Sequence, residues 1–294
     1  MNVLFLYAAV FGNYFVVLCC IFLKVSSYSR IILITKQNIK YIRSLSLKKN
    51  RDAEQCFVAE GPKVVADLLP LIPCRELYAT IDFLQGLSAE VLSGVAHVVE
   101  VGQKDIERLS MLKTPRSAVA VFSIPQHVHQ NDWEALRLLA NQDLCLALDG
   151  VQDPGNVGTI VRAADWFGIE HIFASLDTAD VFAPKVVQAT MGAIGRVKVH
   201  YLSLPTWLAG LAPDVPVYGT FLDGQNLYAQ TLKAKGVIVM GNEGRGISDE
   251  VARFATHRLL IPHYPPDRPT SESLNVAVAT AIVCSAFRSK LLAT

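Results

Sequence analysis

The chain is 294 residues long, 51% hydrophobic and 18% charged, with a formal net charge of +1. That length leaves room for two domains with a sizeable core, and the composition excludes a disordered chain. The near-neutral balance also excludes a uniformly basic nucleic-acid binder, so any polyanion contact has to be local.

Residues 1–23 carry no charge and are almost all apolar, and Lys24 ends the run. The stretch is long enough to span a bilayer, and the Lys and Arg that follow would keep its C-terminal side cytoplasmic. It lacks the basic start and small-residue cleavage site of a secretory signal. Two readings of residues 1–33 stand side by side: a membrane anchor, or an extension from a misassigned start codon. The second is preferred because the globular pattern begins near Ile34 and everything after it reads as cytoplasmic. Membrane association is expected only if residues 1–23 are a genuine anchor.

Between Lys36 and Arg51 there are six basic residues (Lys36, Lys40, Arg43, Lys48, Lys49, Arg51) and no acidic one, with Ile39, Ile42, Leu45 and Leu47 interleaved. The pattern predicts an amphipathic helix running into a basic turn. Such a run is either a solvated helix face or a contact for a phosphate backbone. Phe57–Gly61 follows, then a helical pattern through Val64, Val65, Leu68 and Leu69. Strand-like runs at Leu77–Thr80, Val98–Val101 and Ala118–Ser123, with a helix over Asp105–Leu112, complete a small α/β domain over 34–123. No catalytic constellation lies in it. Residues 124–142 read as a linker, helical over Trp133–Leu139.

The second domain, 143–294, opens on Leu144–Leu148, a continuous apolar run of the kind buried on both faces of a parallel sheet. The sequence D-G-V-Q-D-P-G-N-V-G-T comes next. Pro154-Gly155 predicts a turn and Val157–Phe167 a helix with Asn156 at its N-cap. Arg162 falls about two turns up that helix, among Ile160, Val161, Ala163 and Ala164. That setting predicts a buried guanidinium needing a carboxylate partner or a ligand. Strands at His171–Ala174, Val197–Leu202 and Val217–Phe221 alternate with helices at Pro184–Ile194 and Thr206–Leu211. A further buried strand, Gly236–Gly241, ends in N-E-G-R-G-I-S, with a helix predicted from Ser248. Glycines there let a ligand approach the backbone, but the spacing G-x-x-G-x-G is not the dinucleotide fingerprint and no P-loop Lys follows. Glu243 in this turn is either a ligand-facing carboxylate or a helix-dipole residue. Arg258–Ile261 is the last strand, followed by a proline-rich loop over 262–270. In S-E-S-L-N-V-A-V-A, Ser273, Leu274 and Asn275 stand where loop becomes helix, placed to cap free N–H groups while facing a ligand. The six Cys form no C-x-x-C pair and read as reduced thiols. The seven His lack metal-ligand spacing, so no metal site is expected.

Three segments now stand together: D-G-V-Q-D-P-G-N-V-G-T-I-V-R-A-A-D, V-I-V-M-G-N-E-G-R-G-I-S, and L-L-I-P with S-E-S-L-N-V-A-V-A-T-A. In order and spacing they resemble the SpoU/TrmH family of S-adenosylmethionine-dependent RNA ribose 2′-O-methyltransferases, of the SPOUT superfamily. The likeness covers about residues 143–290. Residues 36–123 are similar to that family's ribosomal-protein-like substrate-binding domain, through F-V-A-E-G and Leu109–Thr114. Residues 1–33 match nothing in the family.

The resemblance implies an α/β fold with a SPOUT-type sheet, a C-terminal trefoil knot and a smaller α/β substrate-binding domain in front. It implies a homodimer with its pocket near the dimer interface. Backbone groups of Gly241, Ile261 and Leu274 would hold S-adenosyl-L-methionine, and Asn156, Arg162, Glu243, Ser273 and Asn275 fall on catalytic positions. Methyl transfer to a ribose 2′-hydroxyl needs that weak acid positioned and its developing charge stabilised. Arg162 would serve either as a desolvated neutral base or as a cation beside the alkoxide. The second is preferred, because an Arg pKa stays above about 12. The alternative function is a non-catalytic RNA-binding protein that retains the pocket. Ribosomal RNA and transfer RNA are both open as substrates, and the separate N-terminal domain inclines toward ribosomal RNA by analogy alone.

Overall fold

A computed structural model describes residues 34–129, 132–265 and 273–292. The question of residues 1–33, Cys19, Cys20, Ser271 and most of the proline-rich loop lie outside the described residues. Among the described ones, no helix is long and apolar enough to cross a membrane and no His/Cys/Asp/Glu group suits a metal ion.

Helix α1 (Lys36–Ser44) begins on a reciprocal cap, in which Thr35 Oγ1 accepts from Asn38 N and Thr35 N donates to Asn38 Oδ1, both at 3.1 Å. The expected basic turn after it is a second helix, α2 (Lys48–Glu54), closed by Gln55 at φ 51°. Arg51 is therefore not a surface cation. Its side chain is buried, donating to the carbonyls of Leu45 and Ser46 and pairing with Asp180 at 2.5 Å.

Four strands form the first sheet, in the order β1-β4-β2-β3: β1 (Cys56–Glu60), β2 (Cys74–Ala79), β3 (Val95–Glu100) and β4 (Ala118–Ser123). β4 runs antiparallel to β1 and β2, while β2 and β3 are parallel. Helix α3 (Pro62–Leu68) follows β1, and α4 (Ile81–Gln85) and α5 (Ala89–Ser93) join β2 to β3. Helix α6 (Gln103–Leu109) stops one turn short of the expected Leu112, because Ser110 and Met111 turn aside to Glu60.

After α7 (Trp133–Gln142), the second sheet has six strands in the order β10-β8-β9-β5-β6-β7. They are β5 (Leu144–Asp149), β6 (His171–Ala174), β7 (Lys198–Tyr201), β8 (Val217–Asn226), β9 (Gly236–Gly241) and β10 (His257–Leu260). Every adjacent pair is parallel. The apolar runs at β5 and β9 take the two central places and are buried. Helices α8 (Pro154–Trp166), α9 (Pro184–Thr190), α10 (Leu204–Ala209), α11 (Asp249–Ala252) and α12 (Val276–Leu292) complete this part.

One continuous core joins the two sheets: Phe57, Val65 and Leu68 lie in the same buried cluster as Leu146, Val186 and Phe182. Phe57 and Phe182 meet with ring centroids 4.9 Å apart. The Arg51–Asp180 pair crosses the same junction, so the smaller sheet is packed on the larger one rather than tethered to it.

Candidate active site

Parallel strands send all their C-terminal ends to one edge of a sheet, and ligand crevices form there. Here that edge gathers the turns after β5, β9 and β10, which are the three segments singled out in the sequence. Their side chains knit them together. Asp149, the last residue of β5, accepts a hydrogen bond from Ser248 N at 2.7 Å. Asn242 donates through Nδ2 to the Gly150 carbonyl at 2.6 Å, and its Oδ1 accepts from Gly244 N and Arg245 N at 2.9 and 3.1 Å. Gly241 has no room for a side chain, since a Cβ would stand 2.2 Å from the carbonyl carbon of Gly246. The turn folds back over the strand end at that point and leaves the backbone bare on the other side.

The cap of α8 is Asp153, not Asn156: Asp153 Oδ1 accepts from Asn156 N at 2.8 Å, and Pro154 and Gly155 form the first helical positions. That frees the Asn156 side chain. Its Nδ2 donates to Glu243 Oε1 at 2.9 Å, and its Oδ1 accepts from Asn275 Nδ2 at 2.9 Å. Asn275 Oδ1 accepts in turn from Ala277 N and Val278 N, at 3.0 and 3.2 Å, capping α12. The orientation of both amides is forced. A carboxylate only accepts and helix N–H groups only donate, so one polarity runs from the α12 N-terminus to Glu243.

Beside this link lies a cavity of about 330 Å³ lined by the Gly241–Gly246 turn, Leu259–Ile261, Ser273, Leu274, Val276 and Ala279. All three residues expected to hold the methyl donor, Gly241, Ile261 and Leu274, therefore line one cavity, with Glu243 and Ser273 on the same wall. Its walls offer bare backbone at Gly241 and apolar side chains at Leu260, Ile261 and Leu274, which suits a flat nucleoside with few charges. The Glu243 carboxylate suits a sulfonium nearby. The residues present fit the donor.

Arg162 departs from expectation. Ile160, Val161 and Ala164 are buried, but Arg162 is exposed, has no hydrogen-bond or ion-pair partner among the described residues, and does not line the cavity. Each residue turns the helix by about 100°, so one apolar neighbour on either side does not bury the residue between. Thr159, Arg162 and Trp166 share the outward face of α8, and Trp166 is 84% exposed. Beside them α12 runs parallel to α8: Asn156 meets Asn275 at one end, and Arg288 Nε donates to the Phe167 carbonyl at 2.8 Å at the other. Asp149, Asp153 and Asn242 were not singled out in the sequence, although Asp followed by Pro is a helix-start signal that marks Asp153.

Residues 143–285 match the SpoU rRNA Methylase family, and residues 36–120 match the MRM3-like substrate binding domain. The 23S rRNA (guanosine(2553)-2′-O)-methyltransferase RlmP of Bacillus subtilis is 29% identical over 84% of this chain and 94% of its own. The structure of a putative RNA methyltransferase of the TrmH family from Porphyromonas gingivalis superposes with a TM-score of 0.75 at 43% identity, over 88% of this chain and 100% of that one. An AdoMet-bound rRNA methyltransferase from Sinorhizobium meliloti does so with a TM-score of 0.75 at 31% identity, covering 88% and 96%.

Proposed function

The chain belongs to the SpoU rRNA methylase family, and from that premise we propose that it methylates a ribose 2′-hydroxyl of ribosomal RNA. S-adenosyl-L-methionine is the methyl donor and supplies the transferred group. Backbone groups of Gly241, Ile261 and Leu274 hold it along the cavity, and Ser273 adds a hydroxyl to the same wall. Glu243, Asn156 and Asn275 act as one unit that sets the spacing of the three turns and orients the ribose. The observation that carries this reading is their unbroken hydrogen-bond link, which meets the cavity at Glu243. It joins residues 156, 243 and 275, which come from three separate segments of the chain.

Arg162 acts as a cation beside the alkoxide that forms as the ribose 2′-hydroxyl loses its proton to solvent, and that oxygen then takes the methyl group as the donor's carbon–sulfur bond breaks. It works at a homodimer interface. Trp166, 84% exposed on α8, and Val278, 49% exposed on α12, are the apolar side chains that a second copy would cover. That copy brings a cavity to Arg162. The four described cysteines are free and buried, which suits a cytoplasmic enzyme.

The test uses a radiolabelled donor and ribosomal RNA from cells lacking the gene. We expect incorporation at a single ribose, with Arg162→Ala lowering the rate by about 10²–10³, the usual loss for one alkoxide-stabilising group, while donor affinity stays near wild type. Retained activity in that variant would refute the assignment of Arg162. Donor binding without incorporation into any cellular RNA would instead mark a non-catalytic RNA-binding protein, and labelling of transfer RNA alone would move the substrate.

A further inference from the structure

Glu60 ends β1 and is 4% exposed, far from the cavity wall in sequence and not used by the chemistry above. A carboxylate that deep needs donors, because desolvation raises the cost of its charge. It has them: the Ser110 hydroxyl donates to Oε2, and Met111 N donates to the same oxygen at 3.1 Å. Burial pushes the Glu60 pKa above the usual carboxylate value, against the pull of these hydrogen bonds and of the Arg43 charge. All the donors belong to the start of one loop, Ser110–Ser117, between α6 and β4.

The other end of that loop is pinned as well. Gln103 Nε2 donates to the Pro115 carbonyl at 2.9 Å, and the Ser117 carbonyl accepts from Thr80 N at 2.8 Å. Ser117 holds φ 49°, a left-handed conformation that a non-glycine residue adopts only under constraint. Between the two anchors Lys113, Thr114 and Arg116 face solvent. Neither cation has an ion-pair partner among the described residues. Helix α1 packs on α6, and the charge of its exposed Arg43 reaches Glu60, so the basic face of α1 and this loop share one flank of the small sheet. A loop that only meets solvent gains little from a fixed shape. A loop that must present cations at fixed spacing gains more, because rigidity lowers the entropy lost on binding.

We propose that Ser110–Ser117 is a pre-shaped contact for the RNA phosphate backbone, with Lys113 and Arg116 as the phosphate ligands and Glu60 as the positioning residue that holds them. The inference rests on the RNA methyltransferase reading and names where on the small sheet the substrate is gripped. Arg51, basic in sequence, takes no part, because it is buried against Asp180.

Phosphate contact is independent of base sequence, so a fluorescein-labelled RNA hairpin of arbitrary sequence is a sufficient probe for full-length protein. Lys113→Ala/Arg116→Ala should weaken hairpin binding about tenfold or more. It should also flatten the plot of log affinity against log salt by roughly 1.4–1.8, as expected for two lost phosphate contacts. Glu60→Ala should lower hairpin affinity and raise KM for ribosomal RNA more than it lowers kcat, and Glu60→Gln, which keeps an acceptor oxygen, should restore most of the loss. Donor affinity, read by calorimetry, reports whether each variant is folded. The two surface substitutions keep the test valid if Glu60→Ala does not fold. Wild-type hairpin affinity and salt slope in the double variant, in an enzyme that still methylates RNA, would overturn the inference. Absence of methylation by the wild-type protein would instead strike the reading on which it rests.

Discussion

The two sheets hold their working loops in different ways. In the six-stranded sheet every neighbour is parallel, so the turns after β5, β9 and β10 arrive at one edge and are bonded to each other through Asn156, Glu243 and Asn275. In the four-stranded sheet β4 runs against its neighbours, and the loop before it is tied back to its own sheet by Glu60 and Gln103. The first arrangement is a site shared among distant segments, in which loss of one member loosens all. The second is a local platform. Two arginines mirror the contrast: Arg51 is buried in an ion pair that joins the sheets, and Arg162 stands exposed with no partner among the described residues.

Removing Arg51 should break the contrast most severely. Arg51→Ala leaves Asp180 without its cation at the shared core, and loss of one partner of a buried pair costs about 3–5 kcal/mol. Thermal unfolding should shift down by on the order of 10 °C, and an unchanged Tm would mean that apolar packing alone joins the sheets.

Acid and base should separate the sheets more gently. His200 on β7 stacks on Phe173, and its Nε2 lies 3.1 Å from His171 Nδ1. Burial, with the neighbouring charges of His171, His127 and Lys198, pushes its pKa down to about 3. An unfolded His takes a proton near 6.5 while the folded one resists it, so stability is full above pH 6.5 and falls as pH drops toward 3. Glu60 has the opposite sign. Its folded pKa is raised above 4.5, so its contribution is full below that value and is lost as pH rises through the raised one. Tm measured against pH should therefore fall on the acid side less steeply in His200→Gln, and Glu60→Gln should remove a loss on the other side. Parallel profiles in wild type and both variants would sink this account.

The smallest effect belongs to the exposed Lys48–Asp52 pair, whose side chains are 67% and 55% exposed. Alanine at either position should change stability by less than about 0.5 kcal/mol, so Tm should move by no more than about 2 °C.

Much of the second domain was legible because its signals are local. Apolar runs at Leu144–Leu148 and Gly236–Gly241 mark strands buried on both faces, and they are the central pair. The three motifs pointed to Gly241, Ile261 and Leu274, which line one cavity. Less legible was the phase of α8. A run of apolar neighbours suggested that Arg162 is buried, whereas stepping by 100° per residue puts it on the face of Thr159 and Trp166. The end of α6 is likewise not legible locally, because nothing near Ser110 shows that a carboxylate fifty residues earlier will claim its hydroxyl.

Residue order alone settled most of the strands and helices and which residue types the chemistry has at hand, since periodicity acts over a few neighbours, but not the turn that folds as α2 or the end of α6. Only the folded chain decided that Asn156 bonds Glu243 and Asn275, that Arg51 meets Asp180 across 129 positions, and that Glu60 roots a distant loop. Those pairings depend on sheet order and on which groups burial strips of water, and neither quantity exists until the two sheets have packed.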